Sequence, residues 1–434
     1  MRIGIIAPPW VSVPPGGYGG TEAVVDQLAR GFAAAGHDVM LWTTGDSTCP
    51  VPRGHTFDSA QHERIGSGVV ELKHLIAGYQ ALDAWGADVV HDHTLAGPIY
   101  ASRYSAMPVV TTNHGPFDDE LAELYRTVAP RVPVIAISYD QARRAGALPL
   151  AGVIHHGVDL DTFPMGDGAG DADGPYFLFL GRIVADKGVD HAARAVRAHG
   201  GRLLIAAKMR ERHERRFFRE AVEPLLGDDV VYVGEVSHED KVRLLAGATA
   251  LVNPLRWAEP FGMVMIEALA CGTPVVAYDM ASAPEIVKPG VTGYLCADID
   301  ELAGCLAKAA ALDRPTCRAS VAERFTTERM VADHLAVFER LVRDATQGTG
   351  RPPLDAVAAA GTPSGNGAGT SGNGSRPPAA GTPRTGAGTS GNGAGPPGID
   401  ALSTTSRPGD GTGDNDTGAA GTGGSAVALA EEGA

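Results

Sequence analysis

The chain has 434 residues, 44% of them hydrophobic, and 36 Lys and Arg against 51 Asp and Glu give it a net charge of −15. That balance argues against bulk nucleic-acid binding, which needs a basic footprint, but leaves room for a local phosphate site. No apolar run reaches the roughly 18 residues needed to span a bilayer, and five cysteines (Cys49, Cys271, Cys296, Cys305, Cys317) without CxxC spacing fit a reduced, cytoplasmic compartment with neither a disulfide framework nor a zinc knuckle.

The opening residues, MRIGIIAPPW, hold too short an apolar run for a signal peptide and read as a strand at Ile3–Ala7. Directly after it, PPGGYGGTE (Pro14–Glu22) opens a helix through Glu22–Ala35 that Gly36 ends. Glycines let the backbone come close to a ligand, and a helix start offers free N–H groups, so phosphate is the natural guest. The spacing matches neither a Rossmann GxGxxG nor a Walker loop. Further strands are expected at Val39–Thr43, Asp88–His91, Val109–Thr112, Val134–Ile137 and Val153–His155, alternating with helices. Such alternation builds a parallel sheet covered on both faces. Gly166–Gly174 (GDGAGDADG) reads as a flexible linker. The alternation then restarts at Tyr176–Leu180, Leu203–Ala206, Val230–Val233, Ala250–Asn253, Pro274–Ala277 and Gly293–Cys296. Two similar α/β units joined by a hinge are therefore expected. Ser237 and Asp240 look like a capping pair for the helix that follows, and the amphipathic stretch Thr326–Arg343 closes the folded part. From Gln347 onward the chain is Gly, Ala, Pro, Ser and Thr, with GAGTSGNG at 367–374 and again at 386–393. Almost no large apolar side chain is present to offset ordering entropy, so disorder is expected.

Two stretches carry chemistry. GRIVADKG, Gly181–Gly188, follows a strand and places Arg182 and Lys187 at the carboxyl edge of the second sheet, where open α/β sheets bind ligands. A guanidinium fork and an ammonium point charge together suit a diphosphate. The richer stretch is NPLRWAEPFGMVMIEALACGTPVVA, Asn253–Ala277, with Glu259 and Glu267 separated by seven residues. With Pro260 in a first helical turn, the two acids stand roughly 12 Å apart along a helix, beyond the about 5 Å of a retaining glycosidase pair. They therefore serve different parts of an elongated ligand. Glu267 suits a diol such as a ribose; Glu259 and the N–H groups of Phe261, Gly262, Met263 and Val264 suit a sugar and a phosphate.

EPFGMVMIE followed by ALACGTPVVA resembles the acidic signature of the family-4 retaining glycosyltransferases. GRIVADKG is similar to that family's diphosphate loop and GGTE at 19–22 to its N-terminal glycine loop. VIHHGVD at 153–159 resembles the strand and turn before its interdomain crossing, with His156 in place of the common Asn; PEIVKPGVTGYL at 284–295 resembles a later donor-domain strand. The resemblance implies an α/β GT-B fold, two facing Rossmann-like, doubly wound parallel-sheet domains, with a disordered C-terminal tail. The implied organisation is an acceptor domain at 1–165, a linker at 166–174, a nucleotide-sugar domain at 175–325, a helix crossing back at 326–346 and the tail at 347–434. Arg182 and Lys187 would hold the diphosphate, Glu267 the ribose, and Glu259 with Phe261 and Gly262 the transferred sugar. Gly19 and Gly20 would close on the phosphates from the other domain, and His114 in TTNHGP would stand near the reacting sugar. The implied activity is retaining transfer of a hexose from a UDP-glucose or GDP-mannose type of donor to an acceptor hydroxyl on a glycan, lipid or small metabolite, without cofactor or metal. Two alternatives share the fold: a non-hydrolysing sugar-nucleotide epimerase and a non-catalytic sugar-nucleotide binding protein. The first gives no reason for the Glu259…Glu267 signature; the complete set of donor-site charges speaks against the second.

His91-Asp92-His93 has the composition of a metal cluster but no third ligand in its motif, so no residue is assigned to a metal. His93 and Ser138 are expected on the acceptor side of the cleft, and His155 and His156 in structural roles. Glu285 either faces the cleft or charges a helix start. The basic run Lys208–Glu220 is interleaved with Glu211, Glu214 and Glu220, which favours a salt-bridged exposed helix over a lipid surface.

Overall fold

Short β-branched runs alternate with helices throughout residues 1–347, the part of the chain that the computed structural model describes. The expected disordered tail lies outside the described residues. The strands are β1 (Arg2–Ile6), β2 (Asp38–Thr43), β3 (Arg53–His55), β4 (Val89–Asp92), β5 (Val109–Thr112), β6 (Val134–Ala136) and β7 (Leu150–Val153), then β8 (Phe177–Arg182), β9 (Leu203–Lys208), β10 (Val230–Gly234), β11 (Ala250–Asn253), β12 (Val275–Tyr278) and β13 (Gly293–Cys296). The helices are α1 (Gly20–Ala34), α2 (Gly68–Trp85), α3 (Gly97–Tyr104), α4 (Asp119–Val128), α5 (Tyr139–Arg144), α6 (Val189–His199), α7 (Arg212–Phe217), α8 (His238–Gly247), α9 (Met263–Ala270), α10 (Ala283–Ile286), α11 (Ile299–Ala310), α12 (Arg314–Arg324) and α13 (Thr327–Thr346). None is long and apolar enough to cross a membrane.

The strands form two parallel sheets, ordered β3-β2-β1-β4-β5-β6-β7 and β10-β9-β8-β11-β12-β13. Each is doubly wound, with the strand order reversing between β1 and β4 and between β8 and β11. Ligands bind such sheets outside the carboxyl ends at the reversal. Central strands are buried on both faces: β4 and β5 are fully buried, as is β11. That explains why they do not alternate: apolar residues run together in Val89-Val90, Val109-Val110 and Ala250–Val252, and the buried polar residues follow at the carboxyl ends.

Three expectations need correction. β3 (RGH) carries no β-branched residue and gave no signal; it is held by its register against Leu41–Thr43. The seventh strand lies at Leu150–Val153, earlier than Val153–His155, because the two histidines leave the sheet towards the other lobe. Gly166–Gly174 is not a loose linker. Gly166, Gly168 and Gly170 donate backbone hydrogen bonds to the carbonyls of Cys271, Ala246 and Gly247, and Arg314 grips the Gly166 carbonyl.

The chain crosses between lobes twice, side by side. Val158 N–H donates to Phe325 O at 2.9 Å and Thr327 N–H to Val158 O at 3.2 Å. Beyond this point α13 packs on α1: Met330, Val331 and Phe338 join the N-terminal core, with the Phe32 and Phe338 rings 5.3 Å apart. Burying each such side chain contributes about 1.5–3 kcal/mol, which is how a helix late in the sequence becomes part of the first lobe.

Candidate active site

The carboxyl edges of both sheets face one cleft of about 750 Å³. Gly19, Gly20 and His114 line it from the N-terminal lobe; Lys187, Glu259, Phe261, Gly262, Met263, Val264 and Glu267 line it from the C-terminal lobe. Motifs far apart in sequence thus converge because each follows a strand adjoining a reversal point or a neighbour of one.

On the C-terminal side, Lys187 Nζ is hydrogen-bonded to Glu259 Oε2, with both side chains mostly buried. The ammonium also lies 5.3 Å from the centre of the Trp257 ring. Their loops touch through backbone: Arg256 N–H donates to Asp186 O at 2.7 Å. Gly188 permits that approach, since its φ is +72° and a Cβ there would sit 2.0 Å from Pro254 O. Glu259 is not on a helix. The helix α9 starts only at Met263, after Gly262 in the left-handed region (φ +90°), so Pro260 belongs to the preceding turn. Glu267, buried on α9, accepts from Lys241 Nζ at 2.7 Å. Arg182 ends β8 with its guanidinium 6.0 Å from the centre of the Tyr18 ring. Its buried Nε has no hydrogen-bond partner, and neither has Nδ2 of Asn253, a buried cleft residue. Unsatisfied buried donors are costly in an interior, and these two suit anionic or hydroxylic oxygens.

Around His114 the N-terminal side is built of uncharged groups, while Asp26 and Arg30 of α1, paired at 2.7 Å, also line the cleft. The start of α1 presents Gly19 and Gly20, and below them Glu22 is buried, which raises its carboxyl to about 7. His114 is held neutral by burial, its pKa lowered to about 3. Its Nε2 and Nδ1 of His93 share a 2.7 Å hydrogen bond, and its ring stacks on His156 at 5.2 Å. Behind it the rings of His93 and His91 lie 4.0 Å apart and those of His91 and His334 5.0 Å apart. Burial, then neighbouring imidazoles, push His91 and His93 well below their ordinary value.

Several expectations change here. His93 is buried behind His114, so it supports the cleft from behind instead of lining it. Ser138 is fully buried and its hydroxyl oxygen caps α5 by accepting from Gln141 N–H, so it does not line the cleft either. His156 lines the cleft between His114 and Phe261, beyond the structural role expected for it. Glu214, within the run expected to be exposed, is fully buried and receives the backbone N–H groups of Arg210 and Glu211.

Sequence reasoning missed Lys208, Lys241 and Glu235. Lys208 ends β9 and bonds Glu211 at 2.6 Å; Glu235 follows β10 and takes Arg210 Nη2 at 2.6 Å and Tyr18 N–H at 3.3 Å. All three line the cleft. Position at the carboxyl end of a strand or in the first turn of a helix was the available signal, but it singles out many charged residues. Among the described residues no group of three or more His, Cys, Asp or Glu side chains is arranged to hold a metal ion.

Residues 18–162 match the family model described as Glycosyltransferase Family 4, and residues 167–318 the one described as Glycosyl transferases group 1. The alpha-maltose-1-phosphate synthase of Mycobacterium tuberculosis is 31% identical over 363 residues, 73% of this chain and 89% of that protein. The D-inositol 3-phosphate glycosyltransferase of Mycolicibacterium paratuberculosis is 27% identical over 399 residues, 76% of this chain and 88% of that protein. In structure, sucrose-phosphate synthase from Thermosynechococcus elongatus superposes with a TM-score of 0.65 at 23% identity, covering 79% of this chain and 99% of its own, so the GT-B fold is shared. Two facing doubly wound sheets, the cleft between their carboxyl edges and these matches together make the chain a member of the family-4 glycosyltransferases.

Proposed function

We propose that this glycosyltransferase moves a hexose from a nucleotide-diphosphate sugar of the UDP-glucose or GDP-mannose type to an acceptor hydroxyl, with retention at the anomeric carbon and without a metal ion. The observation that carries the reading is the Lys187–Glu259 pair lining the cleft, with a buried, unpartnered Nε on Arg182 at the end of β8. A donor diphosphate exchanges with Glu259 for the Lys187 ammonium and takes the Arg182 fork. Glu259, released, accepts hydrogen bonds from the sugar hydroxyls, while Glu267 receives the ribose diol. Gly19 and Gly20 add backbone N–H groups from the other lobe.

Breaking the bond between the anomeric carbon and the phosphate oxygen leaves negative charge on the diphosphate. Lys187, Arg182 and the amide groups stabilise that charge as it develops. The acceptor oxygen then bonds to the anomeric carbon on the face the diphosphate leaves, and its proton passes to the departing phosphate oxygen. His114, with Nε2 engaged by His93, offers Nδ1 to a sugar hydroxyl.

The test is a nucleotide-release assay with UDP-glucose and GDP-mannose across glycan, lipid and small-molecule acceptors. Diphosphate released together with an α-linked product, at a rate unchanged by EDTA, is the expected result. An epimerised sugar formed without acceptor would establish an epimerase, and binding without turnover a binding protein. An inverted product, or activity abolished by EDTA and restored by a divalent ion, would overturn those parts of the mechanism.

A further inference from the structure

Glu285 stands away from the donor groups, on α10 of the C-terminal lobe. Its side chain is 15% exposed, and both oxygens are taken by the other lobe. Oε2 accepts from Tyr139 N–H at 2.8 Å and lies 2.7 Å from His155 Nε2; Oε1 accepts from Asp140 N–H at 2.7 Å. A carboxylate receiving backbone N–H groups on both oxygens makes strong, charge-assisted hydrogen bonds.

Each end of this contact continues to the site. On the N-terminal side, the next residue of α5 is Gln141. Its side chain donates to Asn113 O at 2.9 Å and Gly115 O at 2.6 Å, bracketing His114. On the C-terminal side, Ser282 precedes α10 and its hydroxyl reaches the carbonyls of Glu259, at 3.2 Å, and Phe261. Arg324 anchors α10 from behind by donating to Glu285 O at 3.0 Å. A continuous run of hydrogen bonds and backbone therefore links the loop of Glu259 to the loop of His114, and Glu285 is where it passes from one lobe to the other.

We propose that Glu285 is a positioning residue whose carboxylate docks α5 on α10 and so sets the spacing between the sugar-holding loop Glu259–Gly262 and His114. The inference rests on the glycosyl-transfer reading for its catalytic consequence, not for the docking itself. Docking acts on the geometry of the reacting groups and leaves the diphosphate contacts of Lys187 and Arg182 in place.

The test compares the full-length chain with Glu285→Ala and Glu285→Gln by small-angle scattering, by calorimetric binding of UDP and GDP, and by turnover of UDP-glucose and GDP-mannose. Glu285→Ala should raise the radius of gyration and lower kcat roughly 10- to 100-fold, with nucleotide affinity and donor KM within about twofold of wild type. Glu285→Gln keeps the shape and one accepting oxygen, so it should fall between. Unchanged scattering in both variants overturns the docking, whatever the activity. Unchanged kcat, or nucleotide affinity lost in parallel with kcat, overturns the positioning role. A wild-type chain that turns over neither donor and binds neither nucleotide sinks the functional reading alone, and scattering then decides the docking.

Discussion

The two halves of the cleft solve the problem of burying polar groups in opposite ways. On the C-terminal side, charges are kept and paired: Lys187 with Glu259, Lys208 with Glu211, Lys241 with Glu267. On the N-terminal side one ion pair, Asp26 with Arg30, lines the cleft, but around His114 charge is avoided: His91, His93, His114, His156 and His334 are buried and held neutral, and Glu22 is pushed towards its protonated form. An ammonium already resting on a carboxylate can exchange that partner for a phosphate at little desolvation cost. A column of imidazoles without counter-ions can only offer neutral hydrogen bonds. The contrast fits the proposed transfer, in which one half meets an anionic leaving group and the other meets hydroxyls.

Acid should break the second half first. Burial holds His114 at about 3 and His334 at about 4 in the folded chain, against 6.5 as the reference. The unfolded chain therefore binds these protons where the folded chain does not. Stability is full above pH 6.5 and falls as the pH drops towards 3–4, by about 1.4 kcal/mol per pH unit for each such histidine. Thermal unfolding followed from pH 8 to pH 4 should show that steep decline; a flat profile would mean the imidazoles are not the neutral cluster described.

The next largest effect lies in the charged half. Lys187→Ala should cut kcat about 100-fold or more, by removing charge from the leaving diphosphate. Full kcat with every donor would dissolve the contrast between the halves. Lys241→Met keeps the length of the side chain but strands the buried Glu267 carboxylate, and should cost about 2 kcal/mol in chemical denaturation. Glu22→Gln is the most diagnostic change, because it should stabilise. Folded Glu22 holds its proton up to about 7 and the unfolded side chain releases it near 4.5, so raising the pH through that window costs stability. The variant should melt with wild type at pH 4.5 and above it at pH 8. Equal melting temperatures at pH 8 would place water beside Glu22.

Much of this was legible in the sequence because it is local. Alternating β-branched and helical runs gave both doubly wound sheets, and burial of the central strands on both faces kept those runs conspicuous. Glycine loops and an acid pair directly after strands marked the cleft, since the carboxyl edge of a parallel sheet is where backbone and side chains are free to meet a ligand. What the sequence could not supply was partnership between distant residues. Nothing in a one-dimensional pattern says that Glu267 rests on Lys241, that His93 stands behind His114, or that Glu285 reaches across to α5. The first two depend on packing within one lobe, and the Glu285 contact on how the two sheets face each other. Hydrophobic patterning fixes which side of an element is inside, and only tertiary packing decides which polar group waits on the other side.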